Sequence, residues 1–211
     1  MKYKQIVFDV DGTLLNTEYA ILHSLQETMK TLSGETIPFE KLTFALGITG
    51  EDALKILGVK DITTTIDFWN KKLRDFANDI TLFNGIEELL ENLLRLGCEM
   101  GIITSRTKEE FEYGFGQFDI SRYFKTIICA DDTEEHKPNA APLCKYMELT
   151  GADSGQVLYI GDSEYDSQCA ENAGTDFALA GWGTHNKMIR ANYYLKKPAD
   201  LLPVITHRTL F

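Results

Sequence analysis

The stretch Gln5-Ile-Val-Phe-Asp-Val-Asp-Gly-Thr-Leu14 decides how the chain is read. Its first half is a short apolar run of strand length. Its second half leaves the run through two carboxylates, two residues apart, and a glycine turn. Ligands of open α/β sheets sit beyond the carboxyl ends of the strands, so Asp9 and Asp11 are placed to face one crevice. Taken alone, D-x-D-G-T is a moderate signal, because aspartate and glycine are also ordinary turn residues.

Outward from this stretch, further apolar runs follow at Glu99–Ile103, Lys125–Cys129, Val157–Ile160 and Asp176–Leu179, separated by helical patterns. Strands alternating with helices predict an α/β fold with a parallel sheet and right-handed crossovers. The clearest helix follows Asn84: Ile86, Leu89, Leu90, Leu93 and Leu94 form one face, Asn84 and Glu87 resemble a capping box, and Gly97 ends it. Between the first strand and this helix, residues 16–82 show helical patterns and no convincing strand. Ile21, Leu22, Leu25, Met29 and Leu32 share one face, Leu54 and Leu57 suggest a second helix, and Phe68, Trp69, Leu73 and Phe76 a third. The aromatic residues at this spacing are read as core. A core of residues 1–15 and 83–211 interrupted by a helical insertion at 16–82 accounts for the pattern.

Composition narrows the function. With 211 residues, 44% of them hydrophobic, the chain can bury a sizeable core. Its formal net charge of -11, without any basic stripe, argues against nucleic acid as a general partner. An anionic substrate would therefore need positive potential concentrated locally, from a metal ion, a lysine or backbone N–H groups. Cys98, Cys129, Cys144 and Cys169 are dispersed and form no C-x-x-C pair, which predicts reduced, buried thiols. His23, His136, His185 and His207 show no ligand spacing. No apolar run is long enough to span a membrane and none resembles a secretory leader, so the expectation is a cytoplasmic protein.

Three more segments place polar groups where strands end: Ile103-Thr-Ser-Arg106, His136-Lys-Pro138 and Ile160-Gly-Asp-Ser-Glu-Tyr-Asp166. In the order nucleophile candidate, hydroxyl, lysine and acidic pair, these motifs resemble the haloacid dehalogenase-like hydrolase superfamily from about Ile6 to Gly183. The resemblance implies a Rossmann-like core with an α-helical cap. Leu46-Gly-Ile-Thr49, Gly101-Ile-Ile-Thr-Ser105 and Ala180-Gly-Trp-Gly183 are most similar to its phosphoglycolate phosphatase and β-phosphoglucomutase branch. Phe83-Asn-Gly85 stands where that branch usually has Pro-Gly, and Ala140 where a proline is common.

The resemblance implies a Mg²⁺-dependent phosphatase acting on a small phosphorylated metabolite, and the residue chemistry agrees. An attacking carboxylate is repelled by a phosphomonoester unless cations cancel the charge in a dry site. Lys137 and Mg²⁺ would supply them. Asp9 would attack phosphorus to form an aspartyl-phosphate, and Asp11 would protonate the leaving oxygen and then activate water, which calls for a pKa between those tasks. Thr104 would hydrogen-bond a phosphoryl oxygen. The metal would be held by Asp9, the Asp11 carbonyl, Asp162 and Asp166, although Ser163 to Asp166 is also a good capping box.

Further candidates for substrate binding are the Gly12-Thr13 turn through its N–H groups, Ser105, Arg106 unless it is exposed, and Thr49 in the insertion. The presence of Asp11 as an acid disfavours a true dehalogenase. A phosphosugar mutase, a pyrophosphatase, a nucleotidase and an inactive regulatory protein on the same fold remain alternatives. Oligomeric state is not legible.

Overall fold

A computed structural model describes residues 2–184 and 186–206. In chain order the elements are β1 (Gln5–Phe8), β2 (Leu15–Asn16), α1 (Glu18–Ser33), α2 (Gly50–Ile56), α3 (Ile62–Asp75), β3 (Thr81–Leu82) and α4 (Ile86–Arg95). There follow β4 (Glu99–Ile103), α5 (Lys108–Phe115), β5 (Phe124–Ile128), α6 (Ala141–Thr150), β6 (Val157–Gly161), α7 (Glu164–Ala173), β7 (Asp176–Ala180), β8 (Tyr193–Leu195) and α8 (Leu201–Thr206). Six strands form one parallel sheet in the order β5-β4-β1-β6-β7-β8. This is the Rossmann-like α/β fold with a helical cap.

The strand order fixes where chemistry can occur. β1 lies between β4 and β6, and Phe8 is level with Ile102 on one side and Ile160 on the other. Asp9, Thr104 and Asp162 therefore emerge together at the carboxyl edge, where the chain departs to either side of β1. Apolar side chains hold the sheet rigid beneath them: Ile6, Phe8, Ile102 and Ile160 pack toward one layer, and Val7, Ile103 and Tyr159 toward the other. Each fully buried side chain of this size contributes roughly 1.5–3 kcal/mol.

β8 is a strand that the pattern did not announce. β2 and β3 are two more, pairing antiparallel through Leu15 with Leu82 and Asn16 with Thr81. They form a neck from which the cap helices rise and return, within a region read as free of strands. Inside the cap, Leu22, Leu25 and Met29 of α1 pack with Ala53 and Leu54 of α2 and Trp69 of α3. The Trp69 indole donates to Ser24 Oγ at 2.9 Å, which pins the ring between two helices.

Several local expectations need correction. Leu32 and Leu94 are 53% and 56% exposed, because the apolar stripes of α1 and α4 are narrower than the periodicity suggested. α4 is entered through Gly85 in a left-handed conformation with no side-chain cap, so Asn84 and Glu87 make no capping box. Cys144 is exposed on α6, while Cys98, Cys129 and Cys169 are free and buried. Among the described residues, no helix is long and apolar enough to cross a membrane. His185 and His207 lie outside the described residues.

Candidate active site

Asp9 leaves β1 into a buried pocket and is 3% exposed. Its Oδ1 accepts from Lys137 Nζ at 2.7 Å, while its Oδ2 is buried without a hydrogen-bond partner. Burial pushes the Asp9 carboxyl up; Lys137 pulls it back, and the charges of Asp166 and Asp11 push it up again, to about 7. Asp162, partly buried at the end of β6, accepts from Thr13 Oγ1 at 3.2 Å. Its carboxyl is pushed well above the usual range, by burial first and then by Asp166 and Asp9. Oxygens of Asp9, Asp162 and Asp166 all lie within 4.8 Å of one another. An unsatisfied buried carboxylate oxygen facing other carboxylates is a hard, all-oxygen donor set, which fits a divalent cation.

Lys137 reaches this centre from the loop before α6, with its side chain 1% exposed. It bridges Asp9 and Asp166, with both Nζ–O distances at 2.7 Å. Burial alone would lower the lysine; the charges of Asp166 and Asp9 outweigh it and hold the ammonium protonated. Asp166 is fully buried and heavily engaged. Its Oδ1 also accepts from Tyr159 OH at 2.8 Å, and its Oδ2 accepts from Ser163 N and Oγ. The capping box on α7 is therefore real, and Asp166 orients Lys137 while standing at the edge of the carboxylate group.

Asp11 points elsewhere. Arg106 grips it in a fork, Nε to Oδ2 at 2.8 Å and Nη2 to Oδ1 at 2.6 Å. Burial would raise the Asp11 carboxyl, but the Arg106 charge and hydrogen bonds, helped by the Thr17 hydroxyl, bring it below its ordinary value. In this resting arrangement Asp11 is an ionised carboxylate, not a group with a pKa set between acid and base work. Arg106 is correspondingly 8% exposed, neither a solvated arginine nor one free for substrate.

The remaining candidates divide. Thr104 is buried beside Asp9's strand end, and its hydroxyl oxygen accepts from Arg106 N at 3.2 Å. Ser105 Oγ donates to the Gly47 carbonyl at 2.9 Å, which ties the core to the cap loop. Thr49, expected to face substrate, instead caps α2: its hydroxyl accepts from Asp52 N and donates to Asp52 Oδ2. The Gly12-Thr13 turn does not offer its N–H groups as a cradle either. Gly12 N donates to Leu15 O and Thr13 N to Val10 O, which closes the turn on itself. Gly12 has φ +79°, and a Cβ there would stand 2.3 Å from Asp162 Oδ2, so glycine is required for conformation and for space.

A cavity of about 130 Å³ opens from Asp9 and Asp11 into the seam between cap and core. Ile48, Ile66, Trp69, Leu73, Ile80 and Tyr113 line much of it. Trp69 and Leu73, read from their spacing as core, thus serve both packing and cavity wall.

Sequence reasoning missed Tyr159 as a partner of Asp166, and two residues that brace the nucleophile's turn from beyond β7. Trp182 Nε1 donates to Thr13 O at 2.9 Å. Gly183 packs so tightly on Gly12 that a Cβ would meet the Gly12 carbonyl oxygen at 1.6 Å. The glycines of Gly-Trp-Gly were visible in the sequence; their contact with residues some 170 positions earlier was not.

Comparison with known proteins identifies the fold and the family. The pyrophosphatase PpaX of Bacillus cereus (strain B4264) is 26% identical over 212 residues, covering 98% of each chain. A candidate phosphoglycolate phosphatase structure from Lactobacillus plantarum superposes with TM-score 0.88 at 29% identity, over 97% of this chain and all of that one. A haloacid dehalogenase-like hydrolase structure from Bacteroides fragilis, at 23% identity and TM-score 0.86, covers 95% of this chain and all of its own and shares the fold. The family model for haloacid dehalogenase-like hydrolases matches residues 6–180, every acid of the carboxylate group included, and the chain belongs to that family.

Proposed function

We propose that the protein is a Mg²⁺-dependent phosphatase that hydrolyses a small phosphomonoester through an aspartyl-phosphate on Asp9. The observation that carries this reading is the state of Asp9: one oxygen held by a buried lysine, the other buried and unpartnered, in a carboxylate group shared with Asp162 and Asp166. The names borne by the relatives, a pyrophosphatase and a candidate phosphoglycolate phosphatase, support phosphate ester or anhydride chemistry.

Asp9, Asp162 and the Asp11 carbonyl would hold the metal, with Asp166 behind them. Bound there, Mg²⁺ would neutralise phosphoryl charge. Lys137 fixes the Asp9 carboxylate and adds a second positive charge beside the incoming phosphoryl group, which lowers the repulsion between two anions in a water-poor site. Asp9 then supplies the nucleophilic oxygen, and the ester oxygen leaves on the cavity side. Asp11, which lines the cavity, would take a proton from solvent water on parting from Arg106 and donate it to that oxygen. As a carboxylate it then accepts a proton from the hydrolytic water.

The test is phosphate release from a panel of phosphomonoesters with Mg²⁺ and with excess chelator. Acid-quenched protein should carry one labile phosphoryl group on Asp9. Turnover that persists in chelator, or a phosphoryl group on another residue, would overturn the reading.

A further inference from the structure

Resting on the phosphatase reading, we infer that the alcohol part of the substrate is uncharged and largely apolar, roughly the size of a benzene ring or a four-carbon chain. It carries neither the carboxylate of phosphoglycolate nor the second phosphate of pyrophosphate.

Size comes first. The cavity holds about 130 Å³. An apolar cavity of about 150 Å³ accommodates benzene. The wall chemistry points the same way, since isoleucines, a leucine and the rings of Trp69 and Tyr113 offer a ligand mainly dispersion contacts, with the Tyr113 hydroxyl at the exposed rim.

Several polar groups of the wall are already engaged within the protein. Ser105 donates to Gly47 O, and Gln117 Nε2 to Gly114 O. Asn70 donates to Glu110 Oε1, and Glu110 Oε2 accepts from Thr107 N. A polyhydroxylated sugar would find few open partners and would leave its hydroxyls, or these groups, unpaired, at a cost that grows with burial.

Charge completes the argument. Arg106, the buried cation of this wall, is occupied by Asp11. The other cation, Arg74, is exposed, lies over the Tyr113 ring at 4.5 Å, and shares the wall with exposed Glu109. A carboxylate or second phosphate entering here would shed water and gain at most one exposed, solvated arginine, a pairing worth little. An apolar body sheds water to its advantage, worth about fourfold in affinity per methylene.

The experiment compares kcat/KM for ethyl, butyl and benzyl phosphate, phosphoglycolate and pyrophosphate, all with Mg²⁺. Ethyl and butyl alcohols leave with similar basicity, so their ratio reads the cavity. Butyl and benzyl phosphate should exceed ethyl phosphate tenfold or more, with phosphoglycolate and pyrophosphate below ethyl. Phosphoglycolate or pyrophosphate above butyl phosphate overturns the inference. Ile66→Lys, which puts a cation on the cavity wall, should erase the butyl preference and raise relative turnover of phosphoglycolate; unchanged ratios in that folded variant also overturn it.

If the wild type releases phosphate from none of these, nor from acetyl phosphate, the phosphatase reading fails separately. Calorimetric binding to Asp9→Asn then decides the inference: butyl phosphate tighter than phosphoglycolate supports it, and the reverse order refutes it.

Discussion

Replacing Arg106 by methionine keeps most of the side chain's apolar stem and removes only the guanidinium fork. Asp11 is left with 16% side-chain exposure and without its two short hydrogen bonds. Exposed ion pairs are worth about 0.2–1 kcal/mol, whereas stranding one partner of a buried pair costs about 3–5 kcal/mol. The fork geometry and the burial place Asp11–Arg106 in the second class. For a chain of this length about 1 kcal/mol moves the melting temperature by roughly 2–4 °C, so Arg106→Met should melt about 6–20 °C lower. Asp11→Asn should also destabilise, by stranding the arginine. The double variant, with neither charge, should be more stable than the sum of the two losses by at least about 1.5 kcal/mol. Urea unfolding of all four proteins at pH 7 in chelator gives the cycle. A cost for Arg106→Met below about 1 kcal/mol, or simple additivity, would refute the view that the pair is a buried, mutually dependent unit.

Asp9→Asn should abolish phosphate release while its melting temperature stays near or above that of the wild type in chelator, because the amide removes a crowded charge. Gly12→Ala should both destabilise and weaken Mg²⁺ binding, since a side chain at φ +79° costs roughly 1–2 kcal/mol and its Cβ collides with Asp162; Mg²⁺ titration alongside thermal melts separates the two effects. Asp162→Ala should raise the Mg²⁺ concentration needed for half-maximal activity tenfold or more, whereas Asp166→Asn should mainly lower the melting temperature, because Lys137 and Tyr159 lose their carboxylate. The Asp9 carboxyl, raised from 3.8 to about 7 by folding, contributes stability that is present below its unfolded value and lost as pH rises through its folded one. In chelator the protein should therefore weaken between about pH 4 and 7, and Mg²⁺ should restore most at the upper end; a gain of metal-free stability over that window would contradict the crowding of acids.

The parts of this site that were legible in the sequence are those whose chemistry is local. Asp9, Asp162 and Lys137 each stand at or near the end of an apolar strand or its following loop, and a parallel sheet converts that shared position into proximity. What escaped depends on pairings between distant segments. Arg106 could be read as solvated or as substrate-facing because its true partner, Asp11, lies 95 positions away. Thr49 sits in a loop that looks ligand-facing, yet a hydroxyl three residues before Asp52 is equally a helix cap, and capping is what its side chain does. The neck strands are two residues long and exist only because Leu15 meets Leu82. β8 is three residues at the sheet edge, too short to show a period.

Residues 181–183 lie past the span matched by the family model, yet Trp182 and Gly183 rest on the turn that follows the nucleophile. A chain cut after Ala180 would retain Asp9, Asp11, Lys137 and Asp162 and still lose the outer support of the turn that follows Asp9 and Asp11. It would also strip the partner strand from β7, baring a row of backbone donors and acceptors suited to pairing with another copy. Complementation by the missing segment supplied as a separate peptide would then be a matter of refilling one strand slot and one indole contact. For engineering, the useful boundary of this enzyme is set by what leans on Gly12 and not by where its acids end.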